Sequence, residues 1–324
     1  MSSSARIAAG IVALACVALA AWGVTRTARS GFDSLSAHSV RWELAAPCVA
    51  SLVAFAIVYA YCWSMLLRAL ERRPISQLAA MRLFLVTWPG RYVPASLPYY
   101  AARLAAAPAV GARRSVVAAS FVYEMLFGIA SSGGVATVLL LAMSSGRIGG
   151  GAWAIAAVLA AGVCGAMLHP TVPRAAIVLA AKRSRRLAPL EEHLLPPAAL
   201  LRIFAAYVAG ACIVGGSFWL ATMALGAEVS PLTAIAVYNL AGVAGMLAVA
   251  VPGGIGVREG VVVALLSGTV SPPVALAAAV LARLAGVIAD LIPLAAIVLF
   301  DALRRAGPAR QPAADPAPIV REAA

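Results

Sequence analysis

The sequence predicts an all-α membrane protein, a polytopic bundle of seven or eight transmembrane helices. Of the 324 residues, 63% are hydrophobic and only 11% are charged, whereas about 25% of residues are charged in an average soluble domain. The hydrophobic residues form runs close to the ~20 residues that cross a bilayer. Two short segments rich in Pro and Gly interrupt this pattern and predict broken, re-entrant-like helices.

The spans follow one another with short connections and predict a single transmembrane domain over residues 1–306. The first run follows Arg6 and is similar to a signal peptide, but an uncleaved helix is the simpler interpretation because further spans follow. The tail 307–324 is rich in Pro and Ala and predicts disorder. The apolar runs are 7–24, 44–67, 113–143, 151–168, 199–225, 232–251 and 274–300.

The net charge of +13 is best explained by arginines in the loops. Such residues hold membrane topology and contact anionic lipid head groups, and no soluble basic domain is present that would bind nucleic acid. Most of them fall on the cytoplasmic side if the N-terminus is inside. Seven crossings would leave Arg304, Arg305 and Arg310 outside, so eight crossings are slightly favoured.

Residue types that hold metals or cofactors are scattered. All five cysteines lie inside apolar runs, and none of the three histidines belongs to an H-E-x-x-H motif. The glycines at 254–260 miss the dinucleotide-binding spacing by one residue, and there is no ATP-binding P-loop. The sequence therefore predicts no cofactor and no metal, and it argues against independent catalysis.

The two interrupted segments resemble each other. Residues 93–98 read VPASLP and residues 251–256 read VPGGIG, an offset of 251 − 93 = 158 residues. Matched interruptions in two halves indicate a transporter binding site, although chance similarity in an alanine-rich chain is the alternative. Four predicted crossings separate the segments, so the repeats are expected to be parallel.

Each interruption has flanks that suggest a site. Around the first lie Arg82, Trp88, Arg91, Tyr92, Tyr99, Tyr100 and Arg103. They form either an interfacial aromatic–arginine belt or an arginine-lined entrance for an anionic head group. After the second, backbone N–H groups open a helix near Val257, which suits an oxyanion.

Three charged residues within the apolar runs need partners, because a charge at mid-membrane costs roughly 2.5 to 3.5 kcal/mol. Arg283 and Asp290 are seven residues apart and face one side of a helix. We expect an ion pair of Glu124 with Arg283, or of Arg283 with Asp290, or else a polar path for a head group or a coupling proton. The candidate binding residues are Arg91, Pro94, Tyr99, Arg103, Glu124, Pro252, Gly253, Gly254, Gly256, Arg258, Glu259, Arg283 and Asp290.

These motifs carry a resemblance. The stretch TWPGRYVPASLPYYAAR (87–103), Glu124, VPGGIGVREG (251–260) and Arg283 resemble the transmembrane region of lysylphosphatidylglycerol synthases and its stand-alone flippase-like relatives, over roughly residues 5–305. The resemblance implies a multi-pass protein of the bacterial inner membrane that moves or presents lipids. Its signature positions here are Pro252, Gly253, Gly254, Gly256 and Glu259, with Glu124 and Arg283.

Three functions follow from this sequence. The leading hypothesis is translocation or export of an anionic phospholipid or a lipid-linked carrier. The alternative is a membrane-embedded transferase, or its partner subunit, in lipid or glycolipid modification; aminoacyl transfer by this chain alone is not expected. A scaffold for a cell-envelope complex is the third. The expected partners are membrane lipids and envelope-biosynthesis proteins.

Overall fold

The computed structural model describes residues 40–71, 74–92, 97–144, 195–248 and 254–306, and the single positions 33, 171, 172, 175 and 178. Within this part of the chain the long elements are α-helices. They are α1 (Trp42–Leu70), α2 (Gln77–Thr87), α3 (Leu97–Ala106), α4 (Arg114–Ser144), α5 (Pro197–Ala224), α6 (Pro231–Leu247), α7 (Val257–Leu266) and α8 (Pro272–Ala306), with 3₁₀ turns at Trp88–Tyr92 and Ala107–Val110.

Four of these helices, α1, α4, α5 and α8, are long and apolar enough to cross a membrane. Each forms where an apolar run was predicted, and α6 accounts for a fifth run with 17 residues. The all-helical membrane bundle predicted from the sequence is therefore confirmed. The runs 7–24 and 151–168 and the tail 307–324 lie outside the described residues.

The first interruption belongs to a re-entrant segment. Helices α2 and α3 have 11 and 10 residues, about 16 Å each, which is half of the hydrocarbon thickness. The Glu71 carboxylate after α1 accepts hydrogen bonds from the Arg113 backbone N–H at 3.0 Å and from its guanidinium at 3.1 Å. This contact places the end of α1 beside the start of α4. The segment between them, α2 and α3, therefore enters the bundle and comes back to the same end.

Helices α1 and α5 are antiparallel neighbours. The Arg41 N–H, at the start of α1, donates to the Ala224 carbonyl at the end of α5, 2.8 Å away. Farther along α1, the ring centroids of Tyr59 and Tyr207 are 4.9 Å apart. Because the numbers rise along one helix as they fall along the other, the two helices run in opposite directions.

The helices form an internal repeat whose halves match in length. Helices α1 and α5 have 29 and 28 residues, α3 and α7 both have 10, and α4 and α8 have 31 and 35. Helix α2 with its 3₁₀ turn corresponds to α6. The packing is reciprocal as well, because α4 lies antiparallel to α6, with Gly128 beside Met246 and Thr233 beside Met143, while α8 lies antiparallel to α2.

The expectation of parallel repeats is wrong. The equivalent helices α1 and α5 are antiparallel, so the axis that relates the halves lies in the membrane plane and the repeats are inverted. The number of crossings between the two segments was predicted wrongly because α6, with 17 residues, resembles a full span in sequence, whereas its counterpart α2 is too short to be predicted as one. The same inversion makes the second interruption, between α6 and α7, re-enter from the opposite end.

One end of the bundle holds most of the described arginines that lie near helix ends; we call it the basic end. It holds the end of α1 and the start of α4, joined by Glu71 and Arg113. The end of α8 lies here too, because Asp301 contacts Arg82 near the start of α2, so α8 ends on the same side as α1. The arginines at this end are Arg68, Arg113, Arg114, Arg202 and Arg304.

Candidate functional site

The site is best described from the second re-entrant segment, where α7 begins. Gly254 and Gly256 have φ angles of +64° and +84°, which non-glycine residues adopt only with strain. This turn brings Glu259, in the first turn of α7, back to the helix start, where its carboxylate accepts the Gly256 N–H at 2.6 Å. The predicted oxyanion position is therefore occupied in part by the chain's own carboxylate, a favourable charge at a helix N-terminus.

Glu259 is also the partner of the charged residue on the last helix. Arg283 Nε lies 3.1 Å from Glu259 Oε1, so α7 and α8 are joined by an ion pair within the membrane part of the bundle. The carboxylate is buried, and the guanidinium is partly exposed. An arginine that is accessible while its carboxylate lies behind it can bind a second anion.

Arg258 adds a further positive charge beside this pair. Its guanidinium lies over the Tyr238 ring, 5.0 Å from the centroid, and among the described residues it has no carboxylate within ion-pair distance. Its stem crosses α6 at Gly245, where a Cβ atom would be 2.6 Å from Arg258 Cγ. Arg258, Glu259 and Arg283 together carry a net charge of +1, and we call them the charged niche.

Asp290 lies two helical turns beyond Arg283 on α8 and binds the first re-entrant segment. It is buried, and it accepts hydrogen bonds from Trp88 Nε1 at 3.0 Å and from the Tyr92 hydroxyl at 2.6 Å. Arg91 Nη2 is 2.8 Å away, with its guanidinium 4.1 Å from the Trp88 ring centroid. Helix α8 therefore touches both re-entrant segments through charges seven residues apart.

The first re-entrant segment has a separate ion pair, which is enclosed. Arg103 Nη1 lies 2.8 Å from Glu124 Oε2, and the Tyr99 hydroxyl donates to the other carboxylate oxygen. The guanidinium is stacked among three rings, Trp63, Phe84 and Tyr99, with centroids 3.9 to 4.5 Å away. Because Arg103 is fully buried, it does not line an entrance.

The ion pairs differ from those expected. Neither Glu124 with Arg283 nor Arg283 with Asp290 is formed: Glu124 pairs with Arg103, Arg283 with Glu259, and Asp290 with Arg91. Arg283 and Asp290 point to the same side of α8 but lie about two turns apart along its axis. Each therefore contacts a different element, α7 for Arg283 and the 3₁₀ turn after α2 for Asp290.

The structure brings part of the predicted site together. Gly254, Gly256, Arg258, Glu259 and Arg283 meet at the charged niche, while Tyr99, Arg103 and Glu124 form the enclosed pair. Pro94, Pro252 and Gly253 lie outside the described residues. The sequence analysis missed Tyr238, Gly245 and Asp301, of which only Asp301, an acidic residue after an apolar run, left a signal. No group of three or more His, Cys, Asp or Glu side chains suited to a metal occurs among the described residues.

Comparison with known proteins identifies a family for nearly the whole chain. A family model described as "Lysylphosphatidylglycerol synthase TM region" matches residues 6–293, which confirms the resemblance predicted from the sequence. The matched residues include both re-entrant segments, the enclosed pair and the charged niche. No match is found among curated proteins.

Proposed function

Since this chain belongs to the lysylphosphatidylglycerol synthase TM region family, we propose that it translocates or exports an anionic phospholipid or a lipid-linked carrier across the membrane. The family and the apolar helices make it a multi-pass membrane protein, in a family of lipid modification or transport. Translocation is the finer proposal. It is supported by the fold and by the charge of the niche.

The observation that carries the proposal is the surplus charge of Arg258. A charge within the membrane costs roughly 2.5 to 3.5 kcal/mol on insertion scales. The Arg258 guanidinium lies over the Tyr238 ring, and among the described residues no carboxylate is within ion-pair distance of it. The cost persists unless another group neutralises it. A head-group phosphate suits this position because the planar guanidinium forks of Arg258 and Arg283 match phosphate oxygens.

The inverted repeats support transport over a purely structural role. Inverted repeats with broken helices that meet near the membrane centre are the architecture of many secondary transporters, with the substrate bound at the interface between repeats. Here α8 lies at that interface, since it contacts the first segment through Asp290 and the second through Arg283. Active transport would need an ion gradient or a partner protein to supply the energy.

Orientation follows from the arginines. The positive-inside rule places the basic end in the cytoplasm, and the bacterial inner membrane is the location that the family implies. Helix α1 ends at the basic end, so it runs from outside to inside. The predicted run 7–24 would then cross first and place the N-terminus in the cytoplasm.

Reconstitution in liposomes tests the proposal. The probe is a fluorescent phosphatidylglycerol whose outward movement is followed by bleaching with dithionite, with the full chain and its Arg258→Gln variant compared. We expect the wild type to accelerate movement, and the variant to lose about 90% of that acceleration, a factor of ten for 1.4 kcal/mol of lost head-group binding. Arg202→Gln, an exposed arginine on α5, is the control. Equal rates for all three proteins would contradict the proposal.

The second candidate is a membrane subunit for lipid modification, which the word synthase in the family description favours. In that case the chain presents the lipid to a soluble transferase and moves nothing by itself. Liposomes that show no accelerated movement, but yield more modified lipid when a transferase is added with the chain, would favour this function.

A further inference from the structure

Three ion pairs lie along one face of α8. Arg283, Asp290 and Asp301 are seven and eleven residues apart, so at 100° per residue they differ in direction by about 20°. Their partners are Glu259, Arg91 and Arg82. Along the helix axis the three positions span about 27 Å, nearly the ~30 Å of the hydrocarbon core.

We propose that these three pairs form a polar track, along which an anionic lipid head group moves between the charged niche and the basic end. This inference rests on the proposed function and extends it, because it assigns two further phosphate-binding positions, Arg91 and Arg82. The lipid tails would remain in the bilayer beside the track, where Leu291 and Val298 are exposed, about 60° to 80° around α8 from the three charged positions.

Exposure of the side chains supports the track. In each pair the arginine is more exposed than the carboxylate: 24% against 5% for Arg283 and Glu259, 29% against 3% for Arg91 and Asp290, and 41% against 32% for Arg82 and Asp301. In the first two pairs a phosphate can therefore reach the guanidinium while the carboxylate stays behind it, and in the third both side chains are accessible. The enclosed pair has the reverse order, 0% for Arg103 against 13% for Glu124, and is no part of the track.

The carboxylates keep other donors when an arginine turns to phosphate. Asp290 retains the hydrogen bonds from Trp88 and Tyr92, and Glu259 retains the Gly256 N–H. An arginine can thus exchange its carboxylate for a phosphate without leaving a buried charge unpartnered, which would cost far more than the exchange itself. At these two positions the guanidinium can therefore bind the head group and release it again.

The outermost pair gives the sharpest test, because it lies farthest from the charged niche. In the liposome assay with fluorescent phosphatidylglycerol, Arg82→Gln should slow movement about ten-fold, the loss of one charge-assisted hydrogen bond. Asp301→Asn should move lipid faster than the wild type, because it frees Arg82. The dissociation constant of the same lipid, measured by fluorescence polarisation in detergent, should rise in Arg258→Gln and rise less in Arg82→Gln, where only one of several phosphate-binding positions is lost.

A structural ion pair behaves differently. If Arg82 and Asp301 only hold α2 against α8, then Arg82→Gln and Asp301→Asn slow movement equally, and the double variant Arg82→Gln/Asp301→Asn recovers with the loss of both charges. That result overturns the track, as does a wild-type rate for Arg82→Gln. A dissociation constant that changes in Arg258→Gln would still support the charged niche in either case. Absence of any accelerated movement by the wild type would overturn both proposals.

Discussion

In the first half of the molecule, the short helix α3 carries the arginine of an ion pair, Arg103, and the following span α4 carries the carboxylate, Glu124. In the second half, the short helix α7 carries the carboxylate, Glu259, and the following span α8 carries the arginine, Arg283. The two halves have equivalent helices, so each re-entrant segment is joined to its next span by one ion pair of opposite order.

Their surroundings differ more than their positions. Three aromatic rings enclose Arg103, so its pair exchanges with nothing outside the protein. Arg283 is partly exposed and has Arg258 beside it, with Gly245 leaving room for the Arg258 stem. The difference indicates a division of labour: the first pair stabilises the fold, and the second is available to a ligand.

The largest effect on stability is expected from removing the arginine of the enclosed pair. Arg103→Ala leaves Glu124 without a counter-charge, with the Tyr99 hydroxyl as its remaining donor, and leaves a gap between the three rings that enclose Arg103. Losing one partner of a buried pair costs about 3 to 5 kcal/mol. The free energy of unfolding, measured in bicelles by steric trapping, should fall by this amount. Arg202→Ala, at an exposed position of α5, should change it by less than about 0.5 kcal/mol. A small effect of Arg103→Ala would remove the distinction between the halves.

Substitutions in the second pair, Glu259 and Arg283, should reduce lipid movement rather than the stability of the fold. Glu259→Gln or Arg283→Ala should abolish lipid movement in liposomes, a loss of ten-fold or more for about 1.4 kcal/mol. Arg283→Ala removes a guanidinium that binds the head group, and Glu259→Gln removes the buried carboxylate that holds this guanidinium against α7. Both variants should remain folded. In Glu259→Gln the amide oxygen of the new side chain can still accept the Gly256 N–H, and Arg283→Ala leaves Glu259 its hydrogen bond to the helix start.

Size-exclusion profiles and melting temperatures are the controls for this pair of variants. Melting temperatures close to that of the wild type, together with the loss of movement, would confirm that the second pair is functional. Unchanged lipid movement in both variants would contradict the division of labour, since the accessible pair would then have no task that the enclosed pair lacks.

A third prediction concerns the room that Gly245 leaves for Arg258. A Cβ atom at Gly245 would lie 2.6 Å from Arg258 Cγ and 2.8 Å from its Cδ, so Gly245→Ala should displace the guanidinium and slow lipid movement about ten-fold, as Arg258→Gln does. Gly242→Ala is a matched control on the same helix, because nothing lies within 4 Å of the added Cβ. It should keep full activity and gain up to about 1 kcal/mol of stability. Equal activity in the two variants would show that the stem position is unimportant.

The sequence predicted much of this architecture from local patterns. Apolar runs located the helices, Pro and Gly located the interruptions, and the motif VPGGIGVREG with Glu124 and Arg283 pointed to the family. Each of these signals is contained in a short stretch of chain. They do not depend on how the helices pack.

The features that the sequence did not predict depend on packing between distant residues. Arg103 and Glu124 are 21 residues apart, and Trp88 and Asp290 are 202 apart, so no local pattern pairs them. The inversion of the repeats was missed because a half-length helix, α2, has the same role as the longer α6. A shared motif before these helices was available: residues 75–78 read ISQL and residues 229–232 read VSPL.

The smallest effect is expected at this shared motif, where the halves should respond alike. Ser76 caps α2 by accepting the Ala79 N–H, and Ser230 caps α6 by accepting the Thr233 N–H. Replacing such a cap with Ala costs about 1 kcal/mol, so Ser76→Ala and Ser230→Ala should lower the free energy of unfolding by similar amounts and leave lipid movement unchanged. A loss of movement in only one of the variants would mean that the asymmetry extends beyond the ion pairs into the helices that hold them. Equal losses of stability would limit the asymmetry between the halves to the charged residues, because the helices that hold these residues would then respond alike in both halves.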